Sequence, residues 1–242
     1  VDPRFLFSGV TSDDAGVRRG GVAVLPVGSF EQHGPFLPLA TDTIVATAIS
    51  DRICHDHQLF PLPPMTISCS HEHAGFPGTV SISAVTLHSV IGDIWRSLAR
   101  DGWAGLVVVS GHGGNYVLSN AVQELNVDGP RIVLFPTSLD VAAACDDAAL
   151  STRAGHTDMH GGEYEVSLLL HLHPELVRPG YEETDWETEE WRGGLLTRGM
   201  RAYTPHGVIG RPSAATAQKG ERILASLSAS LPQRLADLAE TP

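Results

Sequence analysis

Three features of the sequence predict an α/β fold with a mainly parallel central sheet flanked by helices. Short β-branched apolar runs alternate with longer segments of helical spacing. Two stretches rich in glycine and histidine, "GSFEQHG" and "SGHGGN", stand directly after such runs, where sites gather in parallel sheets. Of the 242 residues, 42% are hydrophobic and 18% charged, enough apolar mass for the core of one domain spanning residues 1–242.

The elements follow in order. "GVAVLPVG" (21–28) is a buried strand ended by glycine, and "TDTIVATAISDRI" a helix with Thr41 or Asp42 as candidate N-cap. "LFPLPPMTIS" (59–68) holds a strand cut short by prolines. "TLHSVIGDIWRSLARDGW" (86–103) has helical period. "GLVVVS" (105–110) is the clearest buried strand, followed by "GHGGN", the helical "YVLSNAVQELN" and a further strand "RIVLFP" (131–136). "GGEYEVSLLLHLHPELV" (161–177) is a helix opening on glycines and stopping at Pro174. The last helix runs from about Ala214 to Leu238 with a break near Pro232. The acidic stretch "GYEETDWETEEWRGG" (180–194) reads as a surface excursion or subunit contact.

A net charge of −12 argues against nucleic acid and anionic membrane surfaces. No apolar run reaches the roughly 18 residues of a membrane span, and "VDPRFLFSGVTSDD" lacks the basic-then-apolar order of a signal peptide. Cys54, Cys69 and Cys145 are widely spaced with no CxxC, which fits a reducing cytoplasm rather than a disulfide framework.

Four clusters can carry chemistry. "VGSFEQHGPFLPLATDT" (27–43) brings Glu31, His33 and Asp42 together, and carboxylate with imidazole suits Zn, Mn or Fe. In "VVVSGHGGN", His112 emerges from a buried strand, and Gly113 and Gly114 leave room beside its ring. In "DMHGGEYEVS", Asp158, His160, Glu163 and Glu165 lead into a helix, where Glu163 and Glu165 point different ways: one faces the site, the other packs or caps. "SHEHAGFPGTVS" places Glu72 and His73 before a Phe-Pro-Gly turn, as substrate-binding residues with Gly113 and Gly114. Each cluster also has a structural reading, as helix cap, turn histidine or acid at a helix N-terminus. Together they offer Glu31, His33, Asp42, His112 and Glu163, enough N/O donors for two divalent cations sharing a carboxylate.

In this order the motifs resemble the creatininase (creatinine amidohydrolase) family, from "LPVGSFEQHGPFLPLATDT" through "SHEHAGFPGT", "VVVSGHGGN" and "HGGEYEVSLLLHLHPELV" to "GVIGRPSAATAQKGERIL". The resemblance implies a single α/β domain, a dinuclear site at the strand ends and a homo-oligomer, often a hexamer. It implies Glu31 and His112 on one metal, His33 on the other, Asp42 bridging, Glu163 as the remaining ligand and His160 as the proton-transfer group. Creatininase itself has a Glu where this chain has Gly114, and covers its substrate with tryptophans, of which there are none between Gly111 and Gly161 here. The expectation is a cytoplasmic hydrolase with two Zn, Mn or Fe ions that opens an amide-type C–N bond of a small molecule. The alternatives are a peptidase trimming a precursor peptide, as in the mycofactocin system, and a non-catalytic metal-binding protein.

Overall fold

A computed structural model describes residues 9–129, 131–152, 157–188 and 192–239. Its sheet has four strands in the order β2-β1-β3-β4, every neighbouring pair parallel: β1 Val22–Val27, β2 Phe60–Pro61, β3 Gly105–Ser110 and β4 Ile132–Phe135. Around it lie α1 Ser12–Arg18, α2 Thr41–His57, α3 Ala84–Arg100, α4 Val117–Leu125, α5 Ser138–Asp147, α6 Glu163–Leu172, α7 Leu195–Arg198 and α8 Ala217–Ala239.

Alternation along the strands sorts the core into two layers. Val24, Val107, Val109, Val133 and Phe135 face a cluster with Val45, Ile49 and Ile53 of α2, Val166 and Leu169 of α6, and Ile223 and Leu227 of α8. Ala23, Leu25, Leu106 and Val108 face the other way, onto Leu87, Ile91 and Trp95 of α3 and Leu118 of α4. Both faces are covered, so the strands read as continuous apolar runs rather than alternating ones.

As its prolines imply, β2 is cut short, to two residues, because Pro61, Pro63 and Pro64 withhold ladder donors. The structure departs from expectation at four other elements, all helices. Helix α8 runs through Pro232 without ending, held by packing against α2, α5 and α6. Helix α2 has Ala40 at its N-cap with no side-chain cap, so neither Thr41 nor Asp42 caps it; Asp42 sits in the first turn, 1% exposed. Helices α1 and α5 had no counterpart in the periodicity. Both carry capping boxes, Thr11 with Asp14 and Thr137 with Asp140. Of the acidic stretch 180–194, Trp186 pairs with Gly210 by two backbone hydrogen bonds, while residues 189–191 lie outside the described residues, as do residues 1–8 of the N-terminal segment. Among the described residues no helix is long and apolar enough to cross a membrane.

Asp140 also ties α5 to α8: it accepts from the Thr137 N–H and hydroxyl, and Arg234 Nη2 lies 3.1 Å from Oδ1. Burial works against its charged form, but the Thr137 hydrogen bonds and Arg234 hold the carboxyl below its ordinary range. A carboxyl lowered in the fold stabilises above its unfolded value, about pH 4, and loses that contribution as pH falls through the folded value. Asp140→Ala is therefore expected to cost about 1–2 kcal/mol at pH 7, with the gap to wild type narrowing below about pH 4. Urea unfolding at both pH values checks this; equal midpoints at pH 7 would contradict it.

Candidate metal centre

The pairing of β1 with β3 sets Val27 opposite Ser110. The segments after the two strands, 28–33 and 111–115, therefore leave the sheet side by side, and Glu31 meets His112. Helix α2 arrives end-on above them. A Cβ at Gly111 would stand 2.2 Å from the Asp42 carbonyl oxygen, so only glycine lets the helix start this close. Asp42 is thereby pressed between the two strand ends.

Two groups of donor atoms result. Glu31, Asp42 and His112 form one; His33, His160 and Glu165 form the other. Asp42 joins them, with Oδ2 3.1 Å from His112 Nδ1 and Oδ1 3.1 Å from His33 Nε2. Its Oδ2 also accepts from the Ser29 hydroxyl at 2.6 Å. Each carboxylate oxygen thus faces one group, the geometry of a bridging ligand.

Glu31 is fully buried, and neither of its carboxylate oxygens accepts a hydrogen bond. His73 Nε2 and His112 Nδ1 approach Oε1 to 3.1 Å, yet neither is aligned to donate. A buried carboxylate left without donors is costly, and a cation among these atoms would satisfy it.

The imidazole tautomers point the same way. His33 Nδ1 lies 3.1 Å from the Glu31 backbone carbonyl and His160 Nε2 is held on the Gln32 carbonyl. A carbonyl only accepts, so those nitrogens carry the protons. The lone pairs of His33 Nε2 and His160 Nδ1 then face the cluster, as metal-ligating histidines require. His73 is set in the opposite sense. Gln32 Oε1 accepts from the Gly34 N–H, so its amide nitrogen is the partner of His73 Nδ1. His73 Nδ1 accepts and Nε2 carries the proton toward Glu31. A third donor group, Glu31 with His73 and His160, is also close enough to hold an ion. Its His73 member has no lone pair to offer, so the first two groups are the stronger sites.

Electrostatics agree. Burial opposes the charged form of His33, but Asp42 and Glu165 overcome it and hold its pKa well above the usual value. Glu31 and Asp42 do the same for His112. Burial and neighbouring histidines push His73 and His160 down. The carboxylates create a negative field that favours positive charge at its centre, whether from protonated imidazoles or from bound cations.

Glu163 does not join this cluster, which corrects its assignment as a ligand. Its carboxylate is fully buried elsewhere, accepting from Ser151 and Thr152 N–H and hydroxyl groups and from Lys219. Glu165 takes the place beside His33: Oε1 lies 3.6 Å from Nε2, and Oε2 accepts the Gly161 N–H. The two acids lie on different sides of the α6 first turn. One cue was present in the sequence: an acid at the third helical position commonly reaches back to the N-terminal amides. The buried Asp158, raised to about 7 by burial, accepts from the Tyr164 N–H and the Thr152 hydroxyl and holds the same turn.

Two open clefts lie at this end of the sheet, the first of them on the cluster. One, of about 510 Å³, is bordered by His112, Gly113, Thr137, Met159, His160 and Glu165. The other, of about 430 Å³, is bordered by His71, Glu72, Gly114, Leu195, Arg198 and Arg201. Tyr116 lies on both rims, and among the described residues no tryptophan lines either. His73, expected at the substrate, is instead buried beneath, 2% exposed.

Comparison with known proteins places this architecture. The creatininase family pattern, described as creatinine amidohydrolase, matches residues 10–235. A mycofactocin precursor peptide peptidase of Mycolicibacterium smegmatis is 35% identical over 218 residues, covering 85% of this chain and 81% of that protein. A creatinine amidohydrolase of Pseudomonas putida is 30% identical over 171 residues, covering 64% and 66%. A crystal structure of creatinine amidohydrolase superposes with a TM-score of 0.81 at 26% identity, covering 96% of this chain and 97% of that one. Solved creatininases also include a Mn form and a Zn–Zn form of a variant, each 26% identical. The chain belongs to the creatininase family of metal-dependent hydrolases.

Proposed function

We propose that this protein is a dinuclear metal-dependent peptidase that cleaves a precursor peptide of the mycofactocin kind. The observation that carries the metal reading is the buried Glu31 carboxylate, without hydrogen-bond donors and grouped with Asp42 and His112, beside a second donor group of His33, His160 and Glu165. Glu31, Asp42 and His112 would hold one divalent cation, and His33, Asp42 and Glu165 the other. Zn, Mn and Fe all suit this donor set. When bound, such cations would supply Lewis-acid polarisation of a carbonyl and acidification of water.

The chain's own residues do the rest. Asp42 sets the spacing of the two sites through its two oxygens, and the Ser29 hydroxyl fixes its rotamer. The neutral His160, anchored through Nε2, presents Nδ1 to the cluster. That nitrogen can accept a proton from the attacking water and pass it to the leaving amine. His73 is buried beside Glu31, with Nε2 3.1 Å from Oε1.

A peptide suits the clefts better than a single small ring. Two open lobes that share Tyr116 leave room for an extended chain. The likeness to the peptidase covers more of this chain than the likeness to the Pseudomonas creatinine amidohydrolase. Small-molecule C–N hydrolysis is the competing reading.

Metal should be counted by plasma mass spectrometry on protein purified without chelator. The loaded protein is then incubated with a mycofactocin precursor peptide, creatinine and simple formamides. We expect about two equivalents of metal, peptide cleavage seen by mass, and no creatinine turnover. Turnover of a small amide with the peptide intact would transfer the activity to the small-molecule class. Protein that stays metal-free after each cation is added would overturn the enzymatic reading.

A further inference from the structure

The structure assigns Glu72 a positioning role: it is the carboxylate that orients His112, and it reaches that place only because residue 114 is glycine. This rests on the metal reading above and goes beyond it. His112 turns Nδ1 inward, 3.1 Å from both Glu31 Oε1 and Asp42 Oδ2. Its Nε2 points the other way, is buried, and has one acidic neighbour, Glu72 Oε1 at 3.4 Å. That separation is at the outer limit of a hydrogen bond and its alignment falls short of one. When Nδ1 gives its lone pair to a cation, Nε2 must carry the ring proton, and a carboxylate beside it becomes the natural acceptor. Such partners fix a ligating histidine's tautomer and raise its basicity.

Space explains why the chain can do this. A Cβ built on Gly114 would lie 1.7 Å from Glu72 Oε1 and 2.4 Å from His112 Nε2. Any side chain at 114 would occupy the volume the Glu72 carboxylate now fills. Gly114 is not in a left-handed conformation, so this glycine serves close approach rather than backbone freedom. The turn His71–His73 presents the carboxylate from the other side. His73 anchors the turn inward through Gln32, while Glu72 lies toward His112 and the cleft.

The test is a titration of the metal-stripped protein with Zn²⁺ against a chromophoric chelator. Glu72→Ala is expected to weaken binding by about 10–100-fold while still saturating at the wild-type stoichiometry. Glu72→Gln, whose amide oxygen still accepts the Nε2 proton, should recover most of the loss. Gly114→Ala should weaken binding by displacing Glu72, and the two losses should fail to add in Glu72→Ala/Gly114→Ala. Gly114→Asp in the Glu72→Ala background should restore affinity by returning a carboxylate to the same volume. Circular dichroism of each metal-free variant separates these effects from misfolding. Wild-type affinity in Glu72→Ala, or additive losses in the double variant, would overturn the role. Loss of a whole equivalent at saturating Zn²⁺ would make Glu72 a ligand and overturn it too. Failure of the wild type to bind Zn²⁺ would instead overturn the metal reading itself.

Discussion

Asp42→Ala is expected to abolish binding of both metals and lower kcat/KM on the order of 10³-fold or more. The reason lies in the placement of its two oxygens. Oδ1 faces His33 and Oδ2 faces His112, so one truncation removes a donor from each group. No other carboxylate stands between both histidines among the described residues. Glu31 faces His112 and His73, and Glu165 faces His33. Asp42→Asn is the companion variant: it keeps the shape and can still accept from Ser29, but it removes the charge that the cations would balance. Plasma mass spectrometry of both variants decides the matter. Two equivalents of metal with full activity in Asp42→Ala would remove the bridge from the scheme.

The second large effect separates two acids that stand two residues apart. Glu165→Gln is expected to lose the metal beside His33 and most of the activity. Glu163→Gln is expected to keep both metals and to lose stability instead, by about 2 kcal/mol, because it disturbs charge-assisted hydrogen bonds. Those bonds join Ser151, Thr152 and Lys219 to the start of α6. Metal content and urea unfolding on the same two proteins read the contrast. A metal-depleted Glu163→Gln beside an unaffected Glu165→Gln would reverse the assignment.

This pair marks where the local pattern stops being informative. "HGGEYE" shows that an acidic turn opens a helix near the site, and that its two acids diverge. Which one faces inward depends on Lys219, 56 positions further on, which claims Glu163 from α8. It depends also on where α6 begins: with Glu163 as its first residue, Glu165 can reach back to the Gly161 N–H. The second has only the weak cue of an acid at the third helical position, and the first has no local signature. The same holds for His73, whose proton position is set by Gln32, and for Glu72, whose place is vacated by Gly114.

Other elements were legible because their cause is local. β3 occupies residues 105–110 as its apolar run implies, since a strand buried on both faces admits almost no polar residue. Glu31, His33, Asp42 and His112 converge because parallel strands deliver their following loops to one edge. Helix α5, "SLDVAAACDD", escaped the periodicity because small alanines and acids mark no apolar stripe. Pro232 escaped in the opposite sense, because packing from three helices holds α8 together through a residue that locally breaks it. The sequence by itself thus determined the strand segments, the edge where the chemistry gathers and most of the residue types there, since these follow from apolar period and chain direction. Only the tertiary structure decided which oxygens and which ring nitrogens face inward, because those choices are made by hydrogen-bond partners far away in the chain.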